Sequence, residues 1–185
     1  MAAILEREIK LRFADAAAAR AAALKAGAVP LRARRLQEDY LLDTPDGKLR
    51  QRRSVLRVRM ETGSAFLTFK GPVRPSPMKL REELETTIGD GPLLVRMLGE
   101  LGFLVGFRYE KYREEFVLND VIVAVDETPV GTFIEIEGSA EGISRAAIAL
   151  GCSSGDYLLD SYRALFVQYC EQHGLPATDM LFGDA

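Results

Sequence analysis

Pairs of like-charged residues recur two positions apart along this chain, among them Glu6 with Glu8, Arg57 with Arg59, Glu83 with Glu85, Lys111 with Arg113, and Glu135 with Glu137. Residues two apart share one face of a β-strand, so each pair projects like charges side by side. Such neighbours repel, and a surface shaped only for solubility has no reason to repeat them. Grouped carboxylates are hard oxygen donors suited to Mg²⁺ or Mn²⁺. Grouped Lys and Arg match phosphate oxygens, with arginine able to bind two at once. A metal-bound polyphosphate would satisfy both sets together. The one histidine, His173, falls near the end of the last helical segment and reads as a surface residue, so a zinc site built from His and Cys ligands is not indicated.

The elements that must position these groups follow from the same alternation. In residues 4–13, Leu5, Ile9, Leu11 and Phe13 share one face while Glu6, Glu8, Lys10 and Arg12 share the other. The rule repeats downstream. Arg57 and Arg59 alternate with Leu56, Val58 and Met60, and Lys70 lies with Phe66 and Thr68 opposite Leu67 and Phe69. Arg81, Glu83 and Glu85 oppose Leu80 and Leu84, while Lys111, Arg113 and Glu115 are backed by Tyr112, Phe116 and Leu118. Asp126 ends a strand whose same-face neighbours are Ile122 and Ala124, and Glu135 and Glu137 alternate with Ile134 and Ile136.

Turn signals at Asp46-Gly47, Gly63-Ser64 and Asn119-Asp120 join these strands as hairpins, and residues 72–77 form a proline-rich loop. Helical patterns cover 15–28, 92–102, 140–150 and 156–173. The last carries a stripe of Leu158, Leu159, Tyr162, Leu165, Phe166 and Tyr169 that reads as core packing. A half-solvated antiparallel sheet would also show charge on one face. Amphipathic helices, however, would cover the apolar face, which leaves the charged face as the inside of a closed or nearly closed barrel. The fold class expected is α+β, an antiparallel barrel with helices packed on its outside.

A chain of 185 residues with ordinary globular composition implies one domain spanning 1–185. Its net charge of -3 gives no general attraction to nucleic acid or to an anionic membrane. No apolar run is long enough to span a membrane and no signal-peptide pattern opens the chain, so a cytoplasmic protein is expected. Cys152 and Cys170 lack C-x-x-C spacing and read as ordinary thiols of a reducing compartment. An uncovered strand edge or apolar patch could support a homodimer.

Taken in order, these segments resemble one known family. Glu6-Arg7-Glu8-Ile9-Lys10 is similar to the E-x-E-x-K signature of the CYTH superfamily, the triphosphate tunnel metalloenzymes. The resemblance continues through Asp39-Tyr40-Leu41-Leu42-Asp43-Thr44-Pro45, Leu56-Arg57-Val58-Arg59, Leu67-Thr68-Phe69-Lys70-Gly71 and Glu83-Leu84-Glu85. It runs on through Lys111-Tyr112-Arg113, Asp126, Glu135-Ile136-Glu137 and Ser161-Tyr162. Asp160 departs from it, standing where many relatives carry a basic residue, which speaks against this helix gripping phosphate.

The resemblance implies an eight-stranded tunnel with bases holding a triphosphate and acids holding Mg²⁺ or Mn²⁺. On that reading Lys10, Arg57, Arg59, Lys70, Lys111 and Arg113 bind the phosphate chain. Glu6, Glu8, Glu83, Glu85, Asp126, Glu135 and Glu137 are candidate metal ligands, and Asp126 and Lys70 are candidates for a direct part in catalysis. Hydrolysis of a phosphoanhydride of tripolyphosphate, thiamine triphosphate or a nucleoside triphosphate is the activity expected. The alternatives are a class IV adenylate cyclase, forming cyclic AMP and pyrophosphate, and a binding module for polyphosphate or nucleotide without turnover.

Overall fold

A computed structural model describes residues 5–183. Eight strands close into an antiparallel barrel: β1 (Leu5–Phe13), β2 (Val29–Asp43), β3 (Val55–Glu61), β4 (Ser64–Lys70), β5 (Lys79–Ile88), β6 (Leu104–Leu118), β7 (Val121–Thr128) and β8 (Gly131–Glu137). Their order around the barrel is β1-β5-β4-β3-β2-β6-β7-β8, with β8 returning to β1. Closure removes the open edge that a sheet would otherwise expose along its length. Two of the turn signals sit where expected: Gly63 at φ 76 between β3 and β4, and Asn119 at φ 55 between β6 and β7. Both occupy the left-handed region that glycine and asparagine tolerate best. Ile4, included in the first alternating segment, lies outside the described residues.

Alternation decides which face is dry. Ile9, Leu11, Phe116, Val123, Val125, Ile134 and Ile136 all point outward from the barrel into one core, where α1 (Ala16–Lys25) and α4 (Ala140–Ala149) cover them. The alanine-rich α1 suits this, because Ala19 and Ala23 let the helix lie close on the sheet. A second cluster joins Phe107, Tyr109 and Phe133 to α5 (Tyr162–His173) through Tyr162, Leu165, Phe166 and Cys170, and Met180 of the C-terminal segment completes it. Helix α3 (Gly91–Glu100) rests on β3 with little of its surface buried.

Three expectations need correction. The helical segment expected over 156–173 starts only at Tyr162, because the Ser161 hydroxyl accepts the Ala164 amide and caps the helix there. Leu158 instead pairs its backbone with Lys10, and Leu159 is exposed. Asp46-Gly47 is not a tight hairpin: the connection carries a short helix, α2 (Lys48–Gln51). Finally β2, which the alternation did not bring out, is one of the two longest strands. His173 is exposed, as expected, and stacks on Tyr169.

Candidate active site

The barrel encloses a cavity of about 420 Å³ whose walls carry charge. All the sequence-predicted site residues except Asp126 line it: Glu6, Glu8, Lys10, Arg57, Arg59, Lys70, Glu83, Glu85, Lys111, Arg113, Glu135 and Glu137. Charges of like sign follow one another along a strand, as the sequence dictates, but they do not segregate around the barrel. Across strands the register sets Lys70 opposite Glu83, Arg59 opposite Asp39, Lys10 opposite Glu135, Glu8 opposite Lys79 and Arg113 opposite Asp126. Each unlike pair offsets part of the desolvation cost of its partner. Glu8 also faces Glu137 across the β1–β8 pair, which sets like charges opposite one another.

The carboxylates thereby divide into two groups. Glu8 is bridged to Lys79 at 2.8 Å and to Lys10 at 3.3 Å, and Glu135 to Lys10 at 3.1 Å and to Arg113. Burial works against their ionisation, yet these cations hold both carboxyls well below the usual range. Glu6 and Glu137 go the other way. Burial, a hydrogen bond shared with Glu83 and the charge of Glu8 push Glu6 up to about 7, although Lys70 lies 2.8 Å away. Burial together with Glu6, and further with Glu8 and Glu135, pushes Glu137 up to about 7 as well. Part of Glu137 is open to solvent, which tempers its shift.

The sign of the pH effect follows. Raised carboxyls bind more protons folded than unfolded, so their contribution is complete below about 4.5 and is lost as pH rises toward 7. In excess chelator the melting temperature is expected to fall between about pH 5 and 7, and Glu137→Gln is expected to flatten that slope. Thermal melts across the range check it; an equal slope in both proteins would show that Glu137 is not crowded.

Asp126 sits behind the wall. It is 0% exposed, and its carboxylate accepts from Lys111 at 2.9 Å, from two nitrogens of Arg113 and from the Tyr162 hydroxyl at 2.6 Å. Four donors of the protein converge on its two oxygens, three of them on Oδ2. Lys111, 1% exposed, is pushed down to about 8 by burial and by Arg113, against the pull of Asp126 and Glu135.

Several residues of the site escaped the sequence reading. Asp39, 0% exposed, accepts from Arg59 at 2.9 and 3.2 Å and lies 3.4 Å from Arg57; burial disfavours its charge, but these arginines keep its carboxyl low. Lys79 extends the row of Arg81, Glu83 and Glu85 one step back along β5. Arg35 binds Glu61 and, at 2.8 Å, Glu115. Tyr109 and Tyr162 add aromatic surface, with Lys10 and Lys111 at 5.1 and 4.9 Å from the Tyr162 ring centroid. Tyr162 thus reaches the charged lumen as well as the core.

A closed antiparallel barrel with both signs of charge inside is the architecture of the triphosphate tunnel proteins, and the comparisons agree. The CYTH domain matches residues 5–150, well over half the chain, and the protein belongs to that family. A protein of Methanocaldococcus jannaschii provisionally named an adenylate cyclase is 32% identical over 112 residues, covering 60% of this chain. The match spans only 64% of that relative's own length. Among solved structures, a conserved hypothetical protein of Pyrococcus furiosus is similar at TM-score 0.73 and 26% identity, covering 86% of this chain and 99% of that one. A Hippeastrum protein, provisionally an adenylyl cyclase and described as having a dominant triphosphatase activity, is similar at TM-score 0.65 and 20% identity, covering 89% and 96%. At that identity the likeness is one of fold.

Proposed function

We propose that this protein is a divalent-cation-dependent triphosphatase working inside the barrel as a single domain. One observation carries the reading: a cavity of about 420 Å³ inside the barrel in which Lys10, Arg57, Lys70, Lys79, Lys111 and Arg113 converge with a crowded set of carboxylates. A buried lumen with this much charge is costly unless a ligand of mixed sign completes it. The Hippeastrum neighbour's described activity supports the same reading.

The carboxylates fit a hard cation. Burial, and after it the neighbouring carboxylates, push Glu6 and Glu137 up to about 7, and a bound Mg²⁺ or Mn²⁺ would favour their ionised form. Among the described residues no three carboxylate, His or Cys side chains already form a cage. Glu6, Glu83 and Glu137 would therefore hold the ion together with phosphate oxygens, as Mg²⁺ commonly is held. Glu85, exposed and bonded among the described residues to Arg57 and Thr68, is a weaker candidate, and Asp126, with four protein donors on its carboxylate, is better cast as a positioning residue than as a ligand. Bound there, the ion supplies charge neutralisation on the phosphate and acidifies water.

The protein's own residues do the rest by position and electrostatics. Arg57, Lys70, Lys10 and Lys111 surround the phosphate chain with donors. Asp126, gripped by Tyr162, fixes the direction of Lys111 and Arg113. Water attacks the terminal phosphorus, the bridging P–O bond breaks, and orthophosphate leaves with a diphosphate and one proton.

The name of the Methanocaldococcus jannaschii relative favours a second reading, in which a ribose 3′-hydroxyl attacks the α-phosphorus of ATP and pyrophosphate leaves. Product analysis separates the two: ATP, thiamine triphosphate and tripolyphosphate are incubated singly with Mg²⁺ or Mn²⁺. Orthophosphate is expected, with turnover abolished by chelation and restored better by Mg²⁺ or Mn²⁺ than by Zn²⁺. Cyclic AMP with pyrophosphate would establish the cyclase, and full activity in excess chelator would sink the metal role.

A further inference from the structure

Strand β6 carries its site residues in one row: Tyr109, Lys111 and Arg113 line the tunnel, so Arg108, Glu110 and Tyr112 point outward. The outer row grips the C-terminal segment. Arg108 holds Asp179 at two points, its amide and its Nε each donating to the carboxylate at 2.8 Å. The Glu110 carboxylate accepts the Phe182 amide at 3.0 Å, and the Tyr112 ring centroid lies 5.1 Å from that of Phe182. Between these anchors Met180 pairs in parallel with Tyr109. Its amide donates to the Arg108 carbonyl at 3.0 Å, and its carbonyl accepts the Glu110 amide at 2.9 Å.

The pairing fills a gap in the barrel wall, because β7 reaches β6 only from Tyr112 onward. We infer that Met180 is a positioning residue for the tunnel reaction, and that residues 178–182 form a short extra strand whose docking sets Tyr162, and through it Asp126, in place. The inference rests on the tunnel reading above, in which Asp126 aims Lys111 and Arg113. The segment lies beyond residues 5–150, the part of the chain that the CYTH domain matches.

Residues bridged between neighbouring strands share a face, so the Met180 side chain goes to the side of Tyr109. There it is 1% exposed, in one cluster with Phe107, Tyr109, Phe133 and Tyr162. The Tyr162 ring centroid stands 6.1 Å from that of Tyr109 and 5.6 Å, edge-on, from that of Phe133, and its hydroxyl donates to Asp126 at 2.6 Å. A thioether fills the irregular space between aromatic rings and is attracted to their edges. Truncating it to a methyl opens a void into which the rings relax only in part. A hydroxyl that must meet one carboxylate tolerates little drift, and a misplacement of about 1 Å in a catalytic arrangement can cost on the order of a hundredfold in rate. Lys10, Arg57 and Lys70 stand on β1, β3 and β4, so they go on binding the phosphate chain while the aim of Lys111 and Arg113 is lost.

The test measures kcat and KM for tripolyphosphate with Mg²⁺, together with urea midpoints, on the full chain. Met180→Ala should lower kcat roughly tenfold or more while KM moves less than about threefold. Met180→Leu, close in volume, should restore kcat to within about threefold of the parent. Ile143→Ala opens the separate core under α4, where Ile143 is 0% exposed; it should lower the urea midpoint yet leave kcat within about twofold. In Met180→Ala joined to Tyr162→Phe, kcat should be no lower than in Tyr162→Phe alone. The midpoint shift caused by Tyr162→Phe should likewise shrink in the Met180→Ala background, since both changes release the same hydrogen bond. Asp179→Ala, at the outer anchor, should lower kcat by a smaller factor. An unchanged kcat in Met180→Ala, losses that multiply in the double variant, or an equal fall in Ile143→Ala would overturn the positioning role and leave the tunnel reading standing. Should Met180→Ala fail to fold, an unchanged kcat in Asp179→Ala overturns it instead. If the parent turned over no triphosphate, the tunnel reading would fall, and the melts would still decide whether Met180 holds Tyr162 on Asp126.

Discussion

Asp126→Ala is expected to destabilise the protein by about 3–5 kcal/mol, the usual cost of removing one partner from a buried ion pair. Asp126 is wholly enclosed and collects Lys111, Arg113 and the Tyr162 hydroxyl on two oxygens. Truncation leaves two buried cations and a buried hydroxyl without their acceptor. Lys111 suffers most, because its ammonium is already pushed down to about 8 and Asp126 is the first of the groups that hold it up. Without that carboxylate it gives up its proton more readily near neutral pH and ceases to be a phosphate donor. Arg113 keeps Glu135. Tyr162→Phe removes only one hydrogen bond to a carboxylate and should cost about 1.5–3 kcal/mol. Urea unfolding of the three proteins decides the matter. A loss below about 1 kcal/mol for Asp126→Ala, against the range expected for a buried pair, would mean that water reaches this site and that Asp126 is not the hub the geometry makes it.

What the sequence made legible was parity. Wherever a helix covers the outside of the barrel, the outer face must be apolar and the inner one is charged, so β1, β3, β6 and β8 declare themselves by alternation. β2 hid because its outer face is wet along part of its length: Arg34 pairs with Glu127 at 2.6 Å across the surface while Arg35 pairs with Glu61 within, and both parities therefore carry charge. Glu38 interrupts the opposite row of Leu36, Tyr40 and Leu42, so Gln37 and Asp39 did not stand out, although they keep the same period as Arg35. The partner relations were illegible for another reason. Lys79 meets Glu8, and Arg59 meets Asp39, only because of the register of strands distant in sequence, and parity says nothing about register. The start of α5 misled in the opposite direction. Leu158 and Leu159 continue the apolar spacing by coincidence, and only the cap at Ser161 marks where the helix begins. That cap delivers Tyr162 to Asp126, turning a stripe read as core into part of the site.

Arg57 and Arg59 stand two residues apart in one row, yet replacing them should give different outcomes, and the contrast separates a tunnel from a solvated charged sheet. Arg59 is held in a fork by Asp39, at 2.9 and 3.2 Å. Arg57 has looser partners, Thr68 at 3.1 Å, Glu85 at 3.4 Å and Glu83 at 3.9 Å, and its buried Nε stands 3.4 Å from Asp39 without a well-formed hydrogen bond. A buried guanidinium with only loose partners can turn to an anion at less cost than one held in a fork, since it gives up weaker hydrogen bonds. Arg57→Ala is therefore expected to weaken tripolyphosphate binding by about 1.5–3 kcal/mol for each charged hydrogen bond lost, roughly 10- to 150-fold. The fold should largely survive, because Asp39 retains Arg59. Arg59→Ala should instead unfold more easily, by about 3–5 kcal/mol, because the buried Asp39 loses its fork. On a solvated sheet both substitutions would stay within about 0.5 kcal/mol in stability and leave binding alone. Calorimetric titration with tripolyphosphate and Mg²⁺, paired with urea melts, reads both quantities. If Arg57→Ala binds as tightly as the parent, the β3 arginines do not face the ligand and the tunnel has been assigned the wrong floor.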